Sequence, residues 1–150
     1  MGAWEQTVLG DVRVTFVGTG STGDPRRRCA ATLVTLADGS HLLVDTGGGN
    51  ETLIALERAQ VDLTRLRAIV LTHQHLDHAA GLPFVLFALA MAAVRGKSVG
   101  EVHVCVPAAA RDGLRALCDT LFPGMQNPWW LAGRAKWHGC DPADYLWRIE

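Results

Sequence analysis

Cysteine is scarce in this chain. Cys29, Cys105, Cys118 and Cys140 are the four in 150 residues, and no two form a Cys-x-x-Cys pair. That excludes a small disulfide-framed domain and leaves reduced thiols as the expectation. Charge of one sign is lacking too. The 14 basic and 15 acidic side chains leave a net charge of −1, so no global basic field draws the chain to nucleic acid or an anionic membrane. Long apolar runs are missing. The longest, Leu82 to Val94, falls short of the roughly 20 residues a bilayer-spanning helix needs, so a buried helix and no membrane contact are expected. Met1 to Gly10 holds no basic segment followed by an apolar stretch, so no leader is read there and a cytoplasmic setting is expected. There is no internal repeat and no low-complexity tract.

What is present is a core-forming composition. Hydrophobic residues make up 49% and charged residues 19%, and 150 residues suit one domain. Val12 to Val17 alternates and is rich in β-branched residues, which predicts a strand. Gly18 to Pro25 reads as a loop, followed by Arg26-Arg27-Arg28. Ala31–Leu36 and His41–Val44 flank Ala37-Asp38-Gly39-Ser40, a hairpin signal. Asp45 to Asn50 is a second glycine-rich loop, with Asn50 placed to cap a helix from Glu51 to about Ala59. Leu66 to Leu71 predicts a strand buried on both faces, and Val102 to Val106 a further one. Pro107 suits the first turn of a helix running to about Leu121. Tyr145 to Glu150 reads as a final strand. Strands and helices alternate through the middle, which argues for α/β layers.

One segment carries most of the chemistry. His73, His75, Asp77 and His78 fall between a predicted strand and an apolar helix. Residues two apart in extended chain point the same way, so His73 and His75 can reach one cation together. Asp77 and His78 lie past a bend and can address the same ion or a second one nearby. Imidazole and carboxylate are zinc ligands; manganese and iron accept them as well. Packing would place apolar residues at such a junction, because a buried ionised carboxylate needs a partner.

Thr72-His73-Gln74-His75-Leu76-Asp77-His78 resembles the T-H-x-H-x-D-H signature of the metallo-β-lactamase superfamily. Val14 to Gly20 is similar to the opening strand and glycine turn of its ribonuclease Z branch. Leu43-Val44-Asp45-Thr46-Gly47 resembles the superfamily's "DxG" strand end, and Gly81-Leu82-Pro83 is again similar to the ribonuclease Z branch. The resemblance covers most of residues 12 to 106. Later, Trp137-His138-Gly139 ahead of Tyr145-Leu146-Trp147-Arg148-Ile149-Glu150 resembles the setting of that branch's next ligand histidine, which implies a ligand role for His138.

The implied fold is the N-terminal part of an αββα sandwich, a single domain over residues 1–150 that stops before the family's bridging aspartate and last histidine. The implied centre holds one or two zinc ions on His73, His75, Asp77, His78 and His138. Asp77 would hold the second metal and take the nucleophile's proton. Asp45 would orient a ligand histidine or pin the motif loop. Its other reading is a turn carboxylate capping the Thr46 or Gly47 amides. The implied chemistry is phosphodiester hydrolysis of the kind that processes tRNA 3′ ends, with RNA or another phosphodiester as partner. The alternatives are a hydrolase of small esters, thioesters or lactams, and a metal-binding fragment with little activity. An uncovered inner sheet face would favour self-association.

Three features stay outside the motif. Gly18-Thr19-Gly20 lacks the third glycine of a dinucleotide loop and reads as a turn that brings backbone close to the metal loop. Arg26-Arg27-Arg28 is either an RNA phosphate contact or a solvated loop. Trp129-Trp130, between Pro128 and Leu131, reads as packing rather than base stacking.

Overall fold

Among the described residues, seven short strands form one mixed sheet whose spatial order repeats the chain order. The computed structural model describes residues 6–123 and 133–141. The first four strands are β1 (Gln6–Leu9), β2 (Val12–Gly18), β3 (Ala31–Thr35) and β4 (His41–Val44), all paired antiparallel. Gly10 and Gly39 turn the chain at positive φ, 60° and 75°. At the second turn Asp38 accepts from the Ser40 amide at 2.8 Å. From β4 onward pairing is parallel, through β5 (Leu66–Val70), β6 (Val102–Pro107) and β7 (Ala135–Cys140). Parallel neighbours need long crossovers, and helices supply them. They are α1 (Glu51–Arg58), α2 (Leu76–Ala79), α3 (Leu82–Val94) and α4 (Arg111–Leu121).

Register shows how the two faces differ. Thr15, Leu33, Leu43, Ile69, Val104 and Trp137 pair side by side across β2 to β7. The first five are buried and Trp137 packs against the core. Leu56 of α1, Leu82, Val85, Leu86 and Leu89 of α3, and Leu114 of α4 complete that core. Burying one such side chain contributes about 1.5–3 kcal/mol, so this helix-covered face carries most of the stability. By length and composition the stretch Leu76–Val94 suffices to cross a membrane. Here it is broken at Ala80-Gly81, and Leu82, Leu86 and Leu89 lie in the core while Leu76 is exposed.

The opposite face is less covered. Its matching row is Phe16, Thr32, Val44, Val70, Cys105 and His138. Phe16 is 38% exposed, and Val14, Val34, Leu42, Val44 and Val70 are only half-buried. The uncovered face is apolar over β2 to β5 and turns to histidine, cysteine and lysine over β6 and β7.

Several boundaries differ from the expectation. Pro107 does not open a helix; it ends β6, paired with Cys140, and α4 begins at Arg111 after a short turn at Ala108–Ala110. β1 and β7 were not anticipated. Ala135-Lys136-Trp137-His138-Gly139-Cys140 has no β-branched residue, and its strand state comes from pairing with β6. Asn50 precedes α1 without a side-chain cap bond; the Glu51 carboxylate turns back to accept the Gly48 amide at 2.7 Å. The expected strand at Tyr145–Glu150 and the Trp129-Trp130 pair lie outside the described residues. The described cysteines are free thiols.

Candidate metal centre

The motif leaves the sheet where β5 ends. A strand running straight into a short helix puts polar side chains at the carboxyl end of a parallel strand, where open α/β sheets place their ligands. His75 is the residue before α2 and has extended backbone (φ −64°, ψ 153°); Asp77 lies in the first turn of α2 and His78 in its last. The His73 ring stands 4.6 Å from the His75 ring and 4.0 Å from the His78 ring, centroid to centroid. Asp77 Oδ2 lies 3.7 Å from His78 Nε2.

Asp45 organises this loop. It sits at the end of β4, 6% exposed, in the left-handed region at φ 58°. Aspartate tolerates that conformation better than most residues, though at some cost. Its carboxylate accepts the Thr72 amide at 2.8 Å and the Thr72 hydroxyl at 2.9–3.0 Å. His78 Nδ1 is 2.7 Å from Oδ2. A carboxylate only accepts, so Nδ1 donates, and in the neutral ring Nε2 then carries the lone pair. Thr72 has one hydroxyl proton and donates it to Asp45. Toward His73 Nδ1, at 3.1 Å, it therefore accepts, which also frees His73 Nε2. Asp45 thus both orients a histidine and pins the loop, and it turns away from the Thr46 and Gly47 amides. The Thr46 amide instead donates to His78 O at 2.7 Å, and the Thr46 hydroxyl at 2.9 Å.

Glycines let three loops meet. Gly81 N–H donates to Gly47 O at 2.9 Å, and a Cβ on Gly81 would stand 1.9 Å from Thr46 O. A Cβ on Gly18 would stand 1.9 Å from Cys29 O. The glycine loop after β2 then reaches the motif: the Thr22 amide donates to Asp77 Oδ2 at 3.3 Å. Partial burial opposes ionisation of Asp77, but bonds from its own amide and from Thr22, with His78 alongside, outweigh it and hold the carboxyl below the ordinary range. Cys29 comes close to the same place. Burial, then Glu51 and Asp77, push its thiol upward. In the arginine run, Arg26 and Arg27 pair with Asp24 and point to solvent, while Arg28 Nε donates to Val17 O at 2.8 Å.

His138 stands elsewhere. On β7 it pairs with Cys105, two strands across from Val70 of β5. Its ring stacks on His103, with His103 Nδ1 3.0 Å from His138 Nε2. The structure therefore brings His73, His75, Asp77 and His78 together, with Asp45 behind them, and leaves His138 with His103. Among the described residues no group of three His, Cys, Asp or Glu side chains converges as a ready-made metal cage. The donor chemistry nevertheless fits a zinc-type ion: three imidazoles and a carboxylate at one loop, two ring nitrogens with free lone pairs, and a buried carboxylate fixing one ring from behind. Thr72, the Thr22 amide and His103 were not anticipated as parts of either cluster. The signal for His103 is a repeated His-x-Cys, at residues 103–105 and 138–140.

A mixed sheet with helical crossovers and a histidine–aspartate loop at the end of a parallel strand defines a class. The sequence pattern of the metallo-beta-lactamase superfamily matches residues 24–103, more than half of the chain, and the chain belongs to that superfamily. The relatives it matches include ribonuclease Z proteins. It is 39% identical over 114 residues to the ribonuclease Z of Pseudomonas putida (strain W619), covering 72% of this chain and 33% of that protein. It is 32% identical over 99 residues to the Homo sapiens zinc phosphodiesterase ELAC protein 1, covering 66% of this chain and 27% of that protein. The crystal structure of the short form of human tRNase Z superposes with a TM-score of 0.60 at 28% identity, over 72% of this chain and 39% of that one. A long-form RNase Z from yeast shares the fold, with a TM-score of 0.65 at 22% identity over 86% of this chain and 18% of that one. The chain spans about a third of the length of the curated relatives it matches.

Proposed function

We propose that this chain carries the metal-binding loop of a zinc-dependent phosphodiester hydrolase of the ribonuclease Z type, with RNA as its substrate class. The observation that supports this reading is the motif loop itself: three imidazoles and Asp77 gathered at the end of β5, with His78 fixed from behind by Asp45 at 2.7 Å. The names of the relatives supply the reaction class. Zinc, when bound, acts as a Lewis acid toward a phosphodiester.

His73 and His78 offer the Nε2 lone pairs that Thr72 and Asp45 keep free, and His75 and Asp77 complete this chain's share of the ligands. Bonds from its own amide and from the Thr22 amide favour the ionised form of Asp77, the form able to accept the proton of the attacking nucleophile. Asp45 acts through His78 and Thr72 and is a positioning residue. Arg26 and Arg27 stand exposed on the loop that carries Thr22, where they can meet the phosphates flanking the cleaved bond.

The test is zinc content by elemental analysis, with a phosphodiesterase assay on a tRNA precursor alongside. The double variant His73→Ala/His75→Ala should lose the zinc held at the loop and any cleavage that accompanies it. Zinc content and affinity equal to those of the parent chain would overturn the assignment.

A further inference from the structure

The face of β6 and β7 away from the helices carries a second set of metal-binding side chains that the motif does not use. His103-Val104-Cys105 lies on β6 and His138-Gly139-Cys140 on β7. Two-residue spacing in a strand sends both members of each pair to one face. The parallel register, Cys105 to His138 and Pro107 to Cys140, puts all four on the same face. His103 and His138 are exposed, and Cys105 lies beside them at 8% exposure. The ammonium of Lys136, opposite His103, is drawn aside to Glu101 at 3.5 Å.

Two explanations of the patch can be weighed by distance. A Cys105–Cys140 disulfide is the first, since both thiols lie on this face. They are diagonal in the register, however. Strands about 4.8 Å apart and a two-residue offset of about 6.6 Å put their Cα atoms roughly 8 Å apart, beyond the ~7 Å limit for a disulfide. A shared cation is the second. The two imidazole nitrogens already stand 3.0 Å apart. Two ligands of a tetrahedral zinc with bonds of about 2.0–2.1 Å are separated by roughly 3.3 Å. Cys105 lies directly opposite His138 and two residues from His103, so its sulfur is the nearest third donor. Cys140 cannot join His103 on one ion: its register partner Pro107 lies four residues, about 13 Å, along β6.

We propose that His103, Cys105 and His138 form a binding site for a thiophilic divalent cation, zinc or its analogues, on the flat of the sheet and separate from the motif loop. Two donors are in place. The third is brought in by rotating Cys105 about χ1 away from Cys140, which accounts for the lack of a ready-made three-donor cage. Thiolate with imidazole is a donor set that favours zinc over harder ions such as magnesium.

Cobalt(II) titration of the whole chain tests this, because the motif ligands His73, His75, Asp77 and His78 include no sulfur. One equivalent of cobalt should raise a near-ultraviolet thiolate-to-cobalt charge-transfer band. Cys105→Ser should abolish the band, and His103→Gln, an exposed change that leaves the core untouched, should weaken cobalt binding at least tenfold as read by that band. His73→Ala/His75→Ala and Cys29→Ser should both leave it in place. Absence of the band, its survival in Cys105→Ser, or its loss with His73 and His75 would each overturn the proposal. The last two outcomes leave the zinc assignment at the motif standing.

Discussion

Two groups of histidines in this protein are held in different ways. At the end of β5, His73 and His78 are oriented through a buried carboxylate from another strand, a threonine between them and a glycine that lets two loops touch. On β6 and β7, His103 and His138 are brought together by strand alternation and register alone. The first arrangement holds Asp45 buried and left-handed, a strain offset by its bonds to Thr72 and His78, and it fixes the ring orientations. The second costs little and fixes little, so its side chains can rearrange around a ligand.

The largest effect expected from breaking this contrast is at Asp45. Asp45→Ala strands the Thr72 amide and frees His78, and should destabilise the protein by about 2–4 kcal/mol in chemical denaturation. It should also weaken zinc binding at the motif by roughly 10- to 100-fold. The cobalt–thiolate band on β6–β7 should persist wherever the chain is folded, and a parallel loss of both signals in folded protein would remove the distinction.

His41 offers a smaller test, as a histidine whose burial outweighs the pull of the nearby Asp62 and Asp38. It is 9% exposed, with Nδ1 3.1 Å from the Thr35 hydroxyl. Burial, then the nearby Arg65, holds its imidazole below the ordinary value near 6.5. Protonation therefore favours the unfolded chain. The stability it contributes is complete above about pH 6.5 and is lost as the pH falls through the lower folded value. Denaturation midpoints at pH 7.5 and 5.5 should fall further in the parent than in His41→Gln, by a fraction of the Asp45 effect. Equal falls would mean other groups govern the acid limb. The smallest effect is expected at His103: without metal, His103→Gln should change stability by less than about 0.5 kcal/mol, as for most exposed positions. A larger loss would show that the His103–His138 contact is structural.

The sequence disclosed the parts that depend on local pattern. β2, the β3–β4 hairpin, β5 and the apolar α3 follow from alternation, turn residues and long apolar runs. The motif was legible because its four candidate ligands are neighbours in the chain. β7 was not, because Ala135 to Cys140 becomes a strand only through its partner β6. Pro107 was misread for the same reason: its place in the sheet is set by Cys140, not by its own preference for helix starts. The Thr22 amide on Asp77 spans 55 residues, and no local spacing encodes such a contact. The placement of His138 shows the limit of motif transfer, since a short flanking match did not report which cluster the histidine would join.

The order of the strands has a consequence for how the molecule is made. Among the described residues, each strand from β2 to β7 pairs with the one immediately before it in the chain, so each meets a partner already synthesised. Every closure is an antiparallel connection or a crossover of one or two helices, and the entropy of loop closure grows only slowly with length. A nascent chain can therefore build the sheet outward from its N-terminal meander one strand at a time. In such vectorial growth the motif loop is completed once β5 has docked beside Asp45, well before β6 and β7 are added at the far edge.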